Sequence, residues 1–98
     1  MPTLNTLFAI IAVSNSAALE ARLQTIAPWL YLKVADGQWI LVAPSATTSK
    51  EVSDRTGISA AESVSNGIVL RVDGYFGRYA PSVWEWMNTK LGADLGAA

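Results

Sequence analysis

The chain has 98 residues, 51% of them hydrophobic and 15% charged, and its eight acids against seven bases leave a formal charge of -1. That length describes one domain, and sparse charge with a mean hydropathy of +0.28 excludes intrinsic disorder, which needs low hydrophobicity and high net charge. Neither cysteine nor histidine occurs, which excludes disulfides, thiolate or imidazole zinc sites, cysteine nucleophiles and Ser-His-Asp catalysis.

The first apolar run, Leu7 to Val13, has no basic segment before it, since the first basic residue is Arg22. It therefore reads as a strand and not as an export signal. It is also too short for a membrane helix, which needs about 20 residues. No membrane association is expected, and a cysteine-free chain fits a cytoplasmic setting.

Thr6 to Val13 predicts a strand buried on both faces. Ser14, Asn15 or Ser16 can cap a helix over Ala17 to Ala27, where Leu19, Leu23 and Ile26 form one apolar stripe and Pro28 ends it. Trp29 to Val34 alternates, with Leu30, Leu32 and Val34 on one side and Trp29, Tyr31 and Lys33 on the other. Asp36-Gly37 is a hairpin turn signal, and Trp39 to Ala43 returns as a third strand. Thr48-Ser49-Lys50-Glu51 has capping-box spacing ahead of a short helix from about Ser49 to Thr56. Gly57 is placed to end that helix in a left-handed conformation, with Ile58 closing a hydrophobic contact behind it.

A polar loop over residues 59–66 and Gly67 precede a fourth strand, Ile68 to Val72, followed by an aromatic loop punctuated by Gly74 and Gly77. Ser82-Val83-Trp84-Glu85 repeats the capping-box spacing, and Pro81 is placed to staple Trp86. The third helix then runs to about Leu91, with Val83, Trp84, Met87 and Leu91 as its apolar side and Gly92 as its stop. The tail from Ala93 to Ala98 is expected to fray.

Strand, helix, strand, strand, helix, strand is the element order of the ferredoxin-like split βαβ superfold, here with a C-terminal helix added. Right-handed crossovers give an α+β domain whose four-stranded antiparallel sheet has the order 4-1-3-2, with both internal helices on one face. The other face is expected to present Phe8 or its neighbours, Ile40 or Trp39, Trp29 and Tyr31, with Lys33 and Val69 or Arg71 towards the edges. That surface is too apolar to leave in water. Either the last helix or a second subunit must cover it.

Two kinds of site are readable. In the loop before the last helix, Arg78 and free helix amides can hold an anion, while Tyr75, Phe76 or Tyr79 stacks on a planar ring. Arg71 and Lys33 are further sources of charge, and the loop after the third strand, with Ser45, Thr47 and Thr48, is expected at the same end of the sheet. The plainer reading is that these aromatics seal the core. Trp29, Tyr31 and Trp86 are candidate interface residues, since tryptophan is enriched at binding hot spots.

Lys33 and Arg71 with Trp29 and Tyr31 loosely resemble the RNA-binding sheet of an RRM-type protein. The segment Gln38 to Ala43 lacks the basic-glycine-aromatic pattern that likeness requires. Edge cations more commonly guard a sheet against pairing, and a chain without basic excess is poorly suited to neutralise phosphates. Asp36 and Asp73, each before a glycine, are turn residues with no second carboxylate placed near them. No catalytic residue, metal site or cofactor is expected. The leading expectation is a non-enzymatic interaction or binding protein, homo-oligomeric, acting through protein contacts or a ligand at a subunit interface. The rival is a binder of an anionic, nucleotide-like small molecule, and a small enzyme using tyrosine, arginine and carboxylates stands third.

Overall fold

The computed structural model describes residues 5–59, 65–93 and 95. Its elements are β1 (Thr6–Ser14), α1 (Ser16–Leu23), β2 (Leu30–Ala35), β3 (Gln38–Ala43), α2 (Ser49–Arg55), β4 (Asn66–Val72) and α3 (Pro81–Leu91). The strands form one sheet in the order β2-β3-β1-β4, antiparallel at every pairing. This is the ferredoxin-like split βαβ layout, with α3 as an addition.

Local chemistry sets most boundaries. At α2 the capping box closes: the Glu51 amide donates to Thr48 Oγ1 at 3.1 Å, and the Thr48 amide donates to Glu51 Oε1 at 3.1 Å. Gly57 leaves the helix at φ +83° and Gly37 turns the β2-β3 hairpin at φ +75°, conformations that glycine adopts without a Cβ penalty. Helix α1 is shorter than its stripe implies and stops at Leu23. The Thr25 hydroxyl and amide both bond the Arg22 carbonyl, yet Ile26 stays buried beyond the helix end.

The capping box expected at Ser82 does not form. Helix α3 begins two residues earlier than that box requires, with Ala80 as N-cap, no side-chain cap bond, and proline in its first turn. Pro81 has a fixed φ and no N–H to leave unpaired, so it suits the first helical position, and that start places Ser82 inside the helix. Trp86 packs on the core beneath α3.

The sheet separates two cores. Phe8, Ile10, Trp39 and Leu41 pack with Leu19 and Leu23 of α1 and Val52 of α2, and Trp29, Tyr31 and Val69 join them. Leu7 and Val42 pack on the opposite side with Met87 of α3 and with Leu95. This corrects the expected faces. Trp29, Tyr31 and Lys33 do share a side, but it is the one that α1 and α2 cover. Alternation decides which residues face together, and docking of the helices onto the bulkier set decides which side is covered. Within the first core Trp39 Nε1 is buried without a hydrogen-bond partner, at a cost of about 1–3 kcal/mol.

Helix α3 is anchored at its C-terminal end. The Asn5 amide donates to the Leu91 carbonyl at 2.8 Å, and Asn5 Nδ2 donates to the Lys90 and Ala93 carbonyls at 3.0 and 2.8 Å. These bonds satisfy carbonyls that a helix end leaves unpaired. The fraying expected from residue 93 is therefore corrected for Ala93, which is held, and Leu95, which is buried. Residues 94 and 96–98 of that tail, and 60–64 of the expected loop, lie outside the described residues.

Candidate functional site

The segment 73–80 forms a strap over the α3 side of the sheet. It leaves β4 at one sheet edge and reaches β2 at the other, where the Tyr79 hydroxyl donates to the Val34 carbonyl at 2.8 Å. Midway, the Tyr75 ring stacks on Trp84 of α3 with centroids 5.7 Å apart and planes 10° from parallel. The Tyr75 hydroxyl donates to Asn88 Oδ1 at 3.2 Å. The chain then turns back along α3. Phe76 and Arg78 are exposed and a Cβ at Gly77 would meet only open space, so between its two tyrosine anchors the strap is not held by packing.

Strap, helix and sheet border two adjoining concavities, both open to solvent on one side. One is an apolar hollow of about 250 Å³, walled by Val34, Ile40, Tyr75, Tyr79, Trp84 and Met87 among others. The second is a polar cleft of about 620 Å³ at the sheet end, where Thr6, Ser45, Arg71, Asp73 and Tyr75 meet. Leu7, Val72 and Tyr75 line both.

The expected site residues separate accordingly. Tyr75 and Ser45 come together, as the predicted meeting of the two loops requires, and Arg71 of β4 joins them. Arg71 Nε stands 3.7 Å from Asp73 Oδ1. Thr47 is buried, and Thr48 is committed to capping α2. Tyr79 faces the hollow. Phe76 projects fully into solvent beside a shallow recess shared with Trp84 and Asn88. Arg78 is exposed on the strap.

Lys33 lines neither concavity and has a different role. Its ammonium is 3.5 Å from Glu20 of α1 and 3.3 Å from Asp36. The hydrogen bond to Asp36, and then the charge of Glu20, raise its pKa above the ordinary lysine value. Trp29 is buried at 9% exposure, with the Arg55 guanidinium 4.1 Å from its ring centroid. Tyr31 and Trp86 are half-buried.

A second feature escaped the sequence. Ile11 and Val13 of β1 and Ile68 and Leu70 of β4 stay 39%, 70%, 51% and 48% exposed. Ile11 pairs directly with Ile68, and Leu70 with Ala9. They form an apolar row that α3 does not reach, beside the outer edge of β4. The two sheet edges differ. The β2 edge carries Lys33, a register irregularity between Lys33 and Ala35, and the bond from Tyr79, all devices that discourage pairing. Among the described residues no strand pairs with the outer side of β4.

The hollow is likewise built from all four strands, the strap and α3, so no contiguous motif announces it. Its traces in the sequence are Val34 in the alternating set of the second strand and the candidate ring-stacking residues Tyr75 and Tyr79. Among the described residues no group of three acidic side chains could hold a metal ion, and no helix is long and apolar enough to cross a membrane. No protein-family model, curated protein or solved structure matches the chain.

Proposed function

We propose that this protein is a non-enzymatic, cytoplasmic interaction protein that works as a homo-oligomer, assembled through the outer edge of β4 and the bare half of the sheet. The observation that carries this reading is the exposed row Ile11, Val13, Ile68 and Leu70 beside an edge with no pairing partner among the described residues. Contiguous apolar surface rimmed by polar residues marks interaction sites, and an open strand edge is a template for another strand. A two-fold, antiparallel pairing centred on Val69 sets Ile68 opposite Leu70 of the second copy and Arg71 opposite Gly67. It creates apolar cross-strand pairs and no like-charge clash. The absence of histidine and cysteine supports a role without thiolate or imidazole chemistry.

Sedimentation or light scattering of the purified chain tests this reading. The expected result is a dimer at micromolar concentration that Ile68→Lys converts to a folded monomer with unchanged circular dichroism. A wild-type chain that is monomeric throughout the micromolar range overturns it.

A second reading, an anionic small-molecule binder, draws on the polar cleft, where Arg71, Ser45 and Tyr75 meet in a space of about 620 Å³, within the usual size of ligand sites. A nucleotide at a hundred times its dissociation constant would stabilise the fold by about 2.7 kcal/mol, visible as a raised melting temperature. No shift with any nucleotide, or the same shift in Arg71→Ala, counts against this reading.

A further inference from the structure

We infer that the apolar hollow beneath the strap is a binding site for an uncharged, single-ring aromatic molecule. This site adjoins the arginine-bearing cleft, with which it shares Leu7, Val72 and Tyr75, but contains neither Arg71 nor the exposed row on β1 and β4, and it depends on neither reading above.

Size sets the first limit. The hollow holds about 250 Å³, and an engineered apolar cavity of about 150 Å³ is enough to bind benzene. At that ratio about ten non-hydrogen atoms fit, which suits one substituted ring and is too little to hold a whole nucleotide or a long acyl chain.

Chemistry sets the second. No charged side chain lines the hollow. The two tyrosine hydroxyls on its wall already donate elsewhere, Tyr75 to Asn88 and Tyr79 to the Val34 carbonyl. A charged ligand would lose its water and meet no opposite charge. Flat walls from Tyr75, Tyr79 and Trp84 suit a ring, since aromatic pairs gain from offset or edge-on contact beyond simple burial.

Access sets the third. The roof between the two tyrosines consists of Phe76, which is wholly exposed, Gly77, where an added Cβ would meet nothing within 4 Å, and Arg78, which is exposed. Lifting that stretch breaks no described hydrogen bond other than those of Tyr75 and Tyr79. A ligand can enter without unfolding the sheet.

Toluene is the probe, followed by the methyl resonances of Met87 and Val83 in heteronuclear NMR, with benzoate as the charged counterpart. The expected result is a saturable shift centred on Met87 and Val83, a raised melting temperature, and at least about tenfold weaker binding of benzoate. Val83→Phe, which fills the hollow from α3, should abolish the toluene response. Ala9→Val, which fills it from β1, provides the same test should the first variant not fold. Arg71→Ala should leave toluene binding unchanged. Shifts that grow without saturating, that centre on Ile11 and Ile68, that survive a filled hollow, or that benzoate reproduces at equal affinity overturn the proposal.

Discussion

On the side covered by α1 and α2, the side chains of Phe8, Ile10, Leu41 and Val52 are withdrawn from water completely. On the side crossed by α3, Leu7, Val42 and Met87 are buried at one end, a hollow opens in the middle, and Ile11, Val13, Ile68 and Leu70 are left bare at the other. The strands are common to both faces, so strand composition does not account for the difference. What differs is how much helix each face receives. The 11 residues of α3 extend about 16 Å, whereas the nine residues of β1 run about 30 Å. One helix and a loosely held strap cannot roof that sheet. One face is finished by its own chain, and the other retains the space and apolar surface that binding requires.

The strongest way to break this comparison is to delete equivalent side chains from the two faces. Leu41→Ala, at a fully buried site on the α1-α2 side, should cost about 2–5 kcal/mol in urea denaturation. Leu30→Ala, half-buried on the α3 side, should cost under about 2 kcal/mol. Equal losses would show that the faces are packed alike.

Gly67→Ala probes the β1-β4 junction that supports the bare row. A Cβ there would lie 2.6 Å from the Ile11 carbonyl oxygen and 3.2 Å from Ile58 Cδ1, so β4 must move away from β1. We expect a loss of about 1–3 kcal/mol and chemical-shift changes on both strands, and a neutral effect would mean that this edge is already loose.

Thr48→Ala removes the hydroxyl that accepts from the Glu51 amide and should lower stability by about 1 kcal/mol. Because α2 belongs to the finished face, toluene binding in the hollow should not change. A lost toluene response would reveal coupling through the sheet.

The smallest effect is electrostatic. The Asp54 carboxyl is held below its usual pKa by its hydrogen bond to Lys50, and secondarily by one from Ser59. A depressed native pKa adds stability above the unfolded-state pKa, and that contribution is lost as pH falls through the native value. Asp54→Asn should therefore lower the melting temperature slightly at neutral pH, with the difference vanishing in acid. A difference that persists unchanged at low pH would assign the effect to something other than this charge. The site is on the α2 surface, so assembly should be unaffected.

Much of the fold was legible because its signals are local. Asp36-Gly37 sits at the hairpin, Thr48 and Glu51 close the predicted box, and Gly57 ends α2 in the predicted left-handed conformation. The Ser82 box failed because two local signals competed, and the proline before it could occupy the first helical turn. The faces were misassigned because period-2 alternation in β2 is symmetric. It groups Trp29 with Tyr31 and Lys33 without saying whether a helix or water lies above them. Tyr75 and Ser45 were foreseen at one end because the topology places both loops there, whereas Arg71 was expected to reach the open face of the sheet. Nothing placed Val34, Ile40, Val83 and Met87 around a single space, since each looks like an ordinary core residue in its own element.

By itself the sequence determined the class of the fold, the order of the strands, the turns and the α2 cap, and through its lack of histidine and cysteine it limited the chemistry available. The turns and the cap depend on spacing within a dozen residues, the chemistry on composition alone, and the strand order on the sequence of elements together with the right-handedness of crossovers. The tertiary structure decided which face the helices took, how far α3 reaches, that the strap spans from β4 to β2, and that a hollow and a bare apolar row remain. Such outcomes depend on the lengths and docking of elements far apart in the chain, a balance of packing against entropy that no local pattern encodes.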